Sequence, residues 1–129
     1  MERVQSPRSD AAAVEAEIQA KGLTAARVKP EDIEANIASE HYAVASDMFG
    51  VSMSVAHPGG DNYPEQLKLL TFCVLVLRNG FTVTGESAVA SPENFDADIG
   101  RKIARANAVN KIWPLMGYAL KQRLHDQAA

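Results

Sequence analysis

Cysteine is almost missing from this chain. Cys73 is the only one in 129 residues, so no intramolecular disulfide can form and no thiolate cluster can hold a metal. There is no Cys-x-x-Cys, no His-Glu-x-x-His and no glycine-rich phosphate cradle, which removes the common signatures of metal and nucleotide-hydrolysis chemistry. No apolar run reaches the roughly 18 residues that a membrane span needs. The N-terminus lacks the apolar core of a secretory signal, so a cytosolic protein without membrane contact is expected. Aromatic residues make up only 6% of the chain and do not interleave with its basic residues, so binding of single-stranded nucleic acid is not expected. A net charge of −3 neither names nor excludes a polyanionic partner.

What is present suits one small domain with a modest core, since 47% of the residues are hydrophobic. Residues 1–10 mix charge with Ser6, Pro7 and Ser9 and read as a tail ahead of a single domain over 11–129. Ala11 to Ala20 predicts a short helix stopped by Gly22, one that persists only if Val14 and Ile18 dock on something. Pro30-Glu31-Asp32 predicts a second helix start, with Ile33 and Ile37 as its buried stripe. Alternation around Tyr42 and Val44 predicts a strand over 40–46, and the turn residues from 47 to 66 predict a long loop insertion.

The firmest segment lies further on. Leu69 to Leu77 is almost wholly apolar and Asn79-Gly80 is a strong hairpin signal, which predicts paired strands over 68–77 and 81–86 with a turn that needs positive φ at both central residues. Phe81, Val83 and Gly85 are then expected on one face, and Thr82, Thr84 and Glu86 on the other. Ser91-Pro92 predicts the start of a helix over 92–112, with Phe95, Ile99, Ile103, Ala106 and Val109 or Asn110 on its sheet side. Pro114 predicts a break before a last helix over 115–124. The expected fold is therefore α+β: a small antiparallel sheet packed against C-terminal helices.

Candidate chemistry is sparse. His41, His57 and His125 fall in three separate elements, so no metal site is expected. Cys73 is hidden in an apolar strand, and Ser87 has no histidine placed as its base, so no covalent catalyst is expected. Arg101 and Arg105, one helical turn apart, can fork onto a phosphate. Asn94 lies at a helix opening, and Thr82, Thr84 and Glu86 form a polar row. These six are the expected ligand-binding residues. The stretch from Pro92 to His125 is locally positive, carrying six basic residues against three acidic ones.

The runs Leu70-Thr71-Phe72-Cys73-Val74-Leu75, Asn79-Gly80-Phe81-Thr82-Val83-Thr84-Gly85-Glu86-Ser87, Ser91-Pro92-Glu93-Asn94-Phe95-Asp96, Ile99-Gly100-Arg101-Lys102-Ile103-Ala104 and Lys111-Ile112-Trp113-Pro114-Leu115, in that order, resemble a family of small tailed-phage proteins typified by those of the N-four coliphage and the Sf-six Shigella phage. Val28-Lys29-Pro30-Glu31-Asp32-Ile33 extends the likeness upstream, while residues 1–27 and 47–66 fall outside it. The resemblance implies an accessory phage protein acting in the cytoplasm of the infected bacterium, and it supplies no catalytic residues. The expected function is non-enzymatic and needs no cofactor: binding and sequestering a small anionic, nucleotide-derived host signal, in a pocket shared within a homo-oligomer. The alternative is direct blocking of a host or defence protein through the apolar residues Met48, Phe49, Val51, Met53 and Val55.

Overall fold

The computed structural model describes residues 11–49 and 65–128. The expected tail over 1–10, and the expected loop between 50 and 64 with Val51, Met53, Val55 and His57, lie outside the described residues. The elements are α1 (Ala11–Ala20), α2 (Pro30–Ala35), β1 (Ile37–Val44), α3 (Ala45–Phe49), a 3-10 turn (Glu65–Leu69), β2 (Leu70–Leu77), β3 (Thr82–Ala88), a second 3-10 turn (Pro92–Asn94) and α4 (Ala97–Ala128). The three strands form one antiparallel sheet in the order β1-β2-β3, covered on one face by α4, which makes this an α+β fold.

The hairpin forms where the Asn-Gly signal predicts it, but with a three-residue loop. Leu77 pairs across to Phe81, with its N–H donating to the Phe81 carbonyl at 2.8 Å, while Gly80 N–H donates back to the Leu77 carbonyl at 2.9 Å. Positive φ is needed only at Gly80, where φ is 90°, and not at Asn79. The Asn79 side chain instead accepts from Phe81 N–H at 2.9 Å. A turn followed by a left-handed glycine is the usual way to fit three residues between twisted strands.

β1 begins three residues earlier than the sequence pattern suggests and ends at Val44. Ile37 faces Leu77 and Ser39 faces Val76, so a bulge at Ala38 hides the start of the alternation. Ile37 therefore belongs to the sheet and not to α2, which ends at Ala35 with Asn36 as its cap. Ala45 and Ser46, expected in the strand, open the short helix α3, which also takes Asp47 to Phe49 out of the expected loop.

Small residues bring helix and sheet together. Gly100, Ala104, Ala108 and Ile112, each four apart, are the buried positions of α4. A Cβ on Gly85 would lie 2.1 Å from the Ala104 carbonyl oxygen and 2.4 Å from the Ala108 amide nitrogen, so the helix backbone crosses β3 on top of this glycine. This corrects the expected stripe of Phe95, Ile99, Ile103, Ala106 and Val109 or Asn110. Bulky side chains do not fit along so close a line of contact; Ile99, Ile103 and Val109 flank it half-buried, and Ala106 is exposed. Below the helix, Cys73, Leu75, Leu77 and Val83 form the core with Ile33.

The C-terminal helices are one. α4 runs unbroken over 32 residues with Pro114 inside it, because an exposed proline there costs one backbone bond while Ile112 and the partly buried Met116 hold both sides to the core. The expected cap at Ser91 makes no side-chain hydrogen bond. Pro92 to Asn94 forms only a 3-10 turn, and Asp96 caps α4 by accepting from Ile99 N–H at 2.9 Å.

Candidate functional site

The six expected ligand residues are not gathered into one place. Thr82, Thr84 and Glu86 stand exposed on the face of β3 turned away from α4, since Val83, Gly85 and Ser87 face the helix. Lys111 reaches around that edge to Thr84 Oγ1 at 3.4 Å, and Asn107 donates to the Glu86 carbonyl at 2.8 Å. Asn94 is exposed at the end of its 3-10 turn, its N–H donating to the Ser91 carbonyl.

Arg105 points toward the other edge of the sheet. It donates to Glu34 of α2 at 2.7 and 3.2 Å and to Glu40 of β1 at 2.9 Å, so it clamps three elements. Hydrogen bonds donated to these carboxylates raise the Arg105 pKa further, and the same guanidinium, helped by the Tyr42 hydroxyl, lowers that of Glu40. Burial, then the hydrogen bond to Glu40, raises Tyr42 in turn. The guanidinium of Arg105 is therefore spent on the fold. Arg101 is freer, with Asp98 at 3.8 Å, and it lines a small cleft of about 150 Å³ with Tyr42, Thr71 and Asp47.

Cys73 is fully buried, and burial raises its thiol pKa, as expected for a packing residue. His41 is on β1 and His125 in the last turn of α4. Among the described residues no three His, Cys, Asp or Glu side chains gather to hold a metal ion. No helix among them is long and apolar enough to cross a membrane.

A larger concave feature lies elsewhere, between the 26–28 segment, α2, the hairpin turn and the far half of α4. It is a groove of about 600 Å³ lined by the apolar Val28, Ala35, Met116 and Leu120 together with Arg27, Arg78 and Arg123. The turn carries Arg78 there because its N–H donates to the Asn36 carbonyl at 3.0 Å and its Nε to the Ala35 carbonyl at 2.8 Å, closing the C-terminus of α2. Those bonds fix the arginine but leave both terminal nitrogens without a protein partner among the described residues. Arg123 makes no ion pair or side-chain hydrogen bond among them either. Asp32 is the one carboxylate in the lining, and its Oδ2 accepts from Lys29 N–H at 2.9 Å. Two guanidiniums with nitrogens unpaired among the described residues, beside apolar side chains, can hold a ligand with a negative group and a flat hydrophobic part.

No local motif marks Arg27, Arg78 and Arg123 as partners. They are far apart in sequence, and only the folding of the turn onto α2 and the run of α4 past Pro114 bring them to one groove. The excess of basic residues toward the C-terminus was the sole hint of Arg123.

Comparison with known proteins gives no match to a curated protein and none to a solved structure. Residues 28–124, about three quarters of the chain, match the model of the phage protein (N4 Gp49/phage Sf6 gene 66) family, and this match runs through 47–66, which the motif resemblance left out. The chain, with its three-stranded sheet and glycine-seated helix, thus belongs to the N4 Gp49/phage Sf6 gene 66 family of phage proteins.

Proposed function

We propose that this phage protein is a non-catalytic accessory factor that acts in the host cytoplasm by binding and sequestering a small anionic, nucleotide-derived host molecule. One observation carries the reading: Arg78 and Arg123, which line a partly apolar groove of about 600 Å³, offer guanidinium nitrogens with no protein partner among the described residues. That volume is in the range of small-molecule sites, roughly 300–1,000 Å³. Forked arginines suit phosphate oxygens, and Met116 and Leu120 suit the face of a base. The groove is open along one side, so a second subunit of a homo-oligomer is the natural cover.

Native mass spectrometry of the protein purified from infected and uninfected cells tests this by looking for a co-purifying nucleotide and fixing the oligomeric state together. In titrations with adenosine monophosphate, Arg78→Gln and Arg123→Gln are each expected to weaken uptake about tenfold, the typical worth of a charge-assisted hydrogen bond. A wild-type protein that takes up no anion in either experiment rejects the reading. Blocking of a host protein is the second reading, supported by the exposed side chains of Met48 and Phe49 on α3. It predicts that replacing both by serine abolishes capture of the partner while anion uptake is untouched.

A further inference from the structure

The third arginine of the groove is already occupied. Arg27 Nη2 donates to Glu15 Oε2 at 2.8 Å and Nη1 to Glu15 Oε1, a two-bond fork to α1, and Gln19 donates to the same Oε2 at 2.8 Å. The Arg27 Nε donates to the Leu23 carbonyl at 3.3 Å, so every nitrogen of this guanidinium is in use. Both side chains are largely covered, 21% and 17% exposed, and the fork holds the Glu15 carboxyl down at about 2. α1 itself contributes no buried residue, and Val14 is exposed. Among the described residues, the only other ion pair made by its side chains is the local one from Glu17 to Lys21. The helix is thus fastened to the body largely through a carboxylate that sits on a groove arginine.

We infer that Glu15 is an internal stand-in for an anionic group of the ligand, and that a ligand carrying two separated anionic groups takes Arg27 from it and releases α1. This rests on the groove being the anion site proposed above. A carboxylate and a phosphate both accept a guanidinium fork, so the exchange trades one fork for another. The displaced Glu15 returns to water on an exposed helix, where its charge is readily solvated. A ligand with a single anionic group is satisfied by Arg78 and Arg123 and leaves the fork intact. Because coupling is reciprocal, removing Glu15 must tighten binding of the larger ligand by the same factor that the ligand loosens α1.

The test uses the full chain, with inorganic phosphate and inorganic tripolyphosphate as probes. Calorimetric titration reads affinity, and hydrogen exchange reads the amides of residues 11–20. Tripolyphosphate is expected to speed exchange in α1 about tenfold, and phosphate to leave it unchanged. Glu15→Gln is expected to raise tripolyphosphate affinity about tenfold with phosphate unaffected, whereas Glu17→Gln, the same charge change on the same helix, moves neither. Arg27→Gln is expected to bring tripolyphosphate affinity down to that of phosphate. The inference is overturned if α1 exchange ignores tripolyphosphate, or if Glu15→Gln and Glu17→Gln act alike, while Arg78→Gln and Arg123→Gln still weaken both anions; the groove reading then survives. If neither the wild type nor Glu15→Gln takes up either anion, both fall.

Discussion

The two halves of α4 are made of different material. From Ala97 to Ile112 the helix is seated by Gly100, Ala104, Ala108 and Ile112, all buried, with the backbone lying on Gly85. From Trp113 onward no residue is fully buried, and Leu115, Tyr118 and Leu124 are exposed. At 1.5 Å per residue the whole helix is about 48 Å long, against about 26 Å for an eight-residue strand, so its far half overhangs the sheet. The near half spends its side chains on the fold. The far half has side chains to spare, and Arg123, Met116 and Leu120 from it build the groove. The same contrast separates Arg105, committed to Glu34 and Glu40, from Arg123, committed to nothing among the described residues. The guanidinium that folding leaves over is the one available for a ligand.

Substitutions where the near half meets the sheet should sharpen this contrast most. Gly85→Ala has to push α4 off β3, because the new methyl group meets helix backbone and not a flexible side chain; a loss of about 3 kcal/mol or more is expected in urea unfolding. Ile112→Ala, at a fully buried site, should cost about 2–4 kcal/mol. In the far half, Leu124→Ala should cost no more than about 0.5 kcal/mol. Equal losses for these last two would erase the distinction between the halves.

Arg105→Met should cost about 1 kcal/mol, a figure kept small because Glu34 and Glu40 remain partly in water and rehydrate. Its pH dependence has a definite sign. The Glu40 pKa is lowered in the folded state by the Arg105 hydrogen bond, so the clamp contributes fully above the ordinary carboxylate pKa of about 4.3 and loses its contribution as pH falls through the lower folded value. Unfolding followed from pH 7 to pH 3 should show the wild-type advantage over Arg105→Met shrinking at the acid end. Smallest of all, Arg123→Gln should leave stability within about 0.5 kcal/mol of wild type while weakening anion uptake.

The sheet and its hairpin were legible because their signals are local: a β-rich apolar run, an Asn-Gly turn and an alternation of Val83 and Gly85 against Thr82, Thr84 and Glu86. The helix face was misread because hydrophobic periodicity gives weight to Ile99 and Ile103, whereas the contact is set by the small residues one position along. Gly85 on the strand and Gly100, Ala104 and Ala108 at fourfold spacing were the available sign of close approach. Pro114 was given too much power to stop a helix whose flanks are held from outside. Of the groove, only the excess of basic residues near Arg123 was legible. Its arginines come from positions 27, 78 and 123, and the emptiest of them is recognisable only once the partners of the others have been assigned.

Sealing the lone thiol between sheet and helix has a practical sequel. Cys73 has no surface in contact with solvent, so alkylating reagents should pass it by in the native protein. A cysteine placed anywhere on the outside would then be the single position to take a dye or spin label, and distances across the groove rim become measurable without first mutating the natural sulfur away.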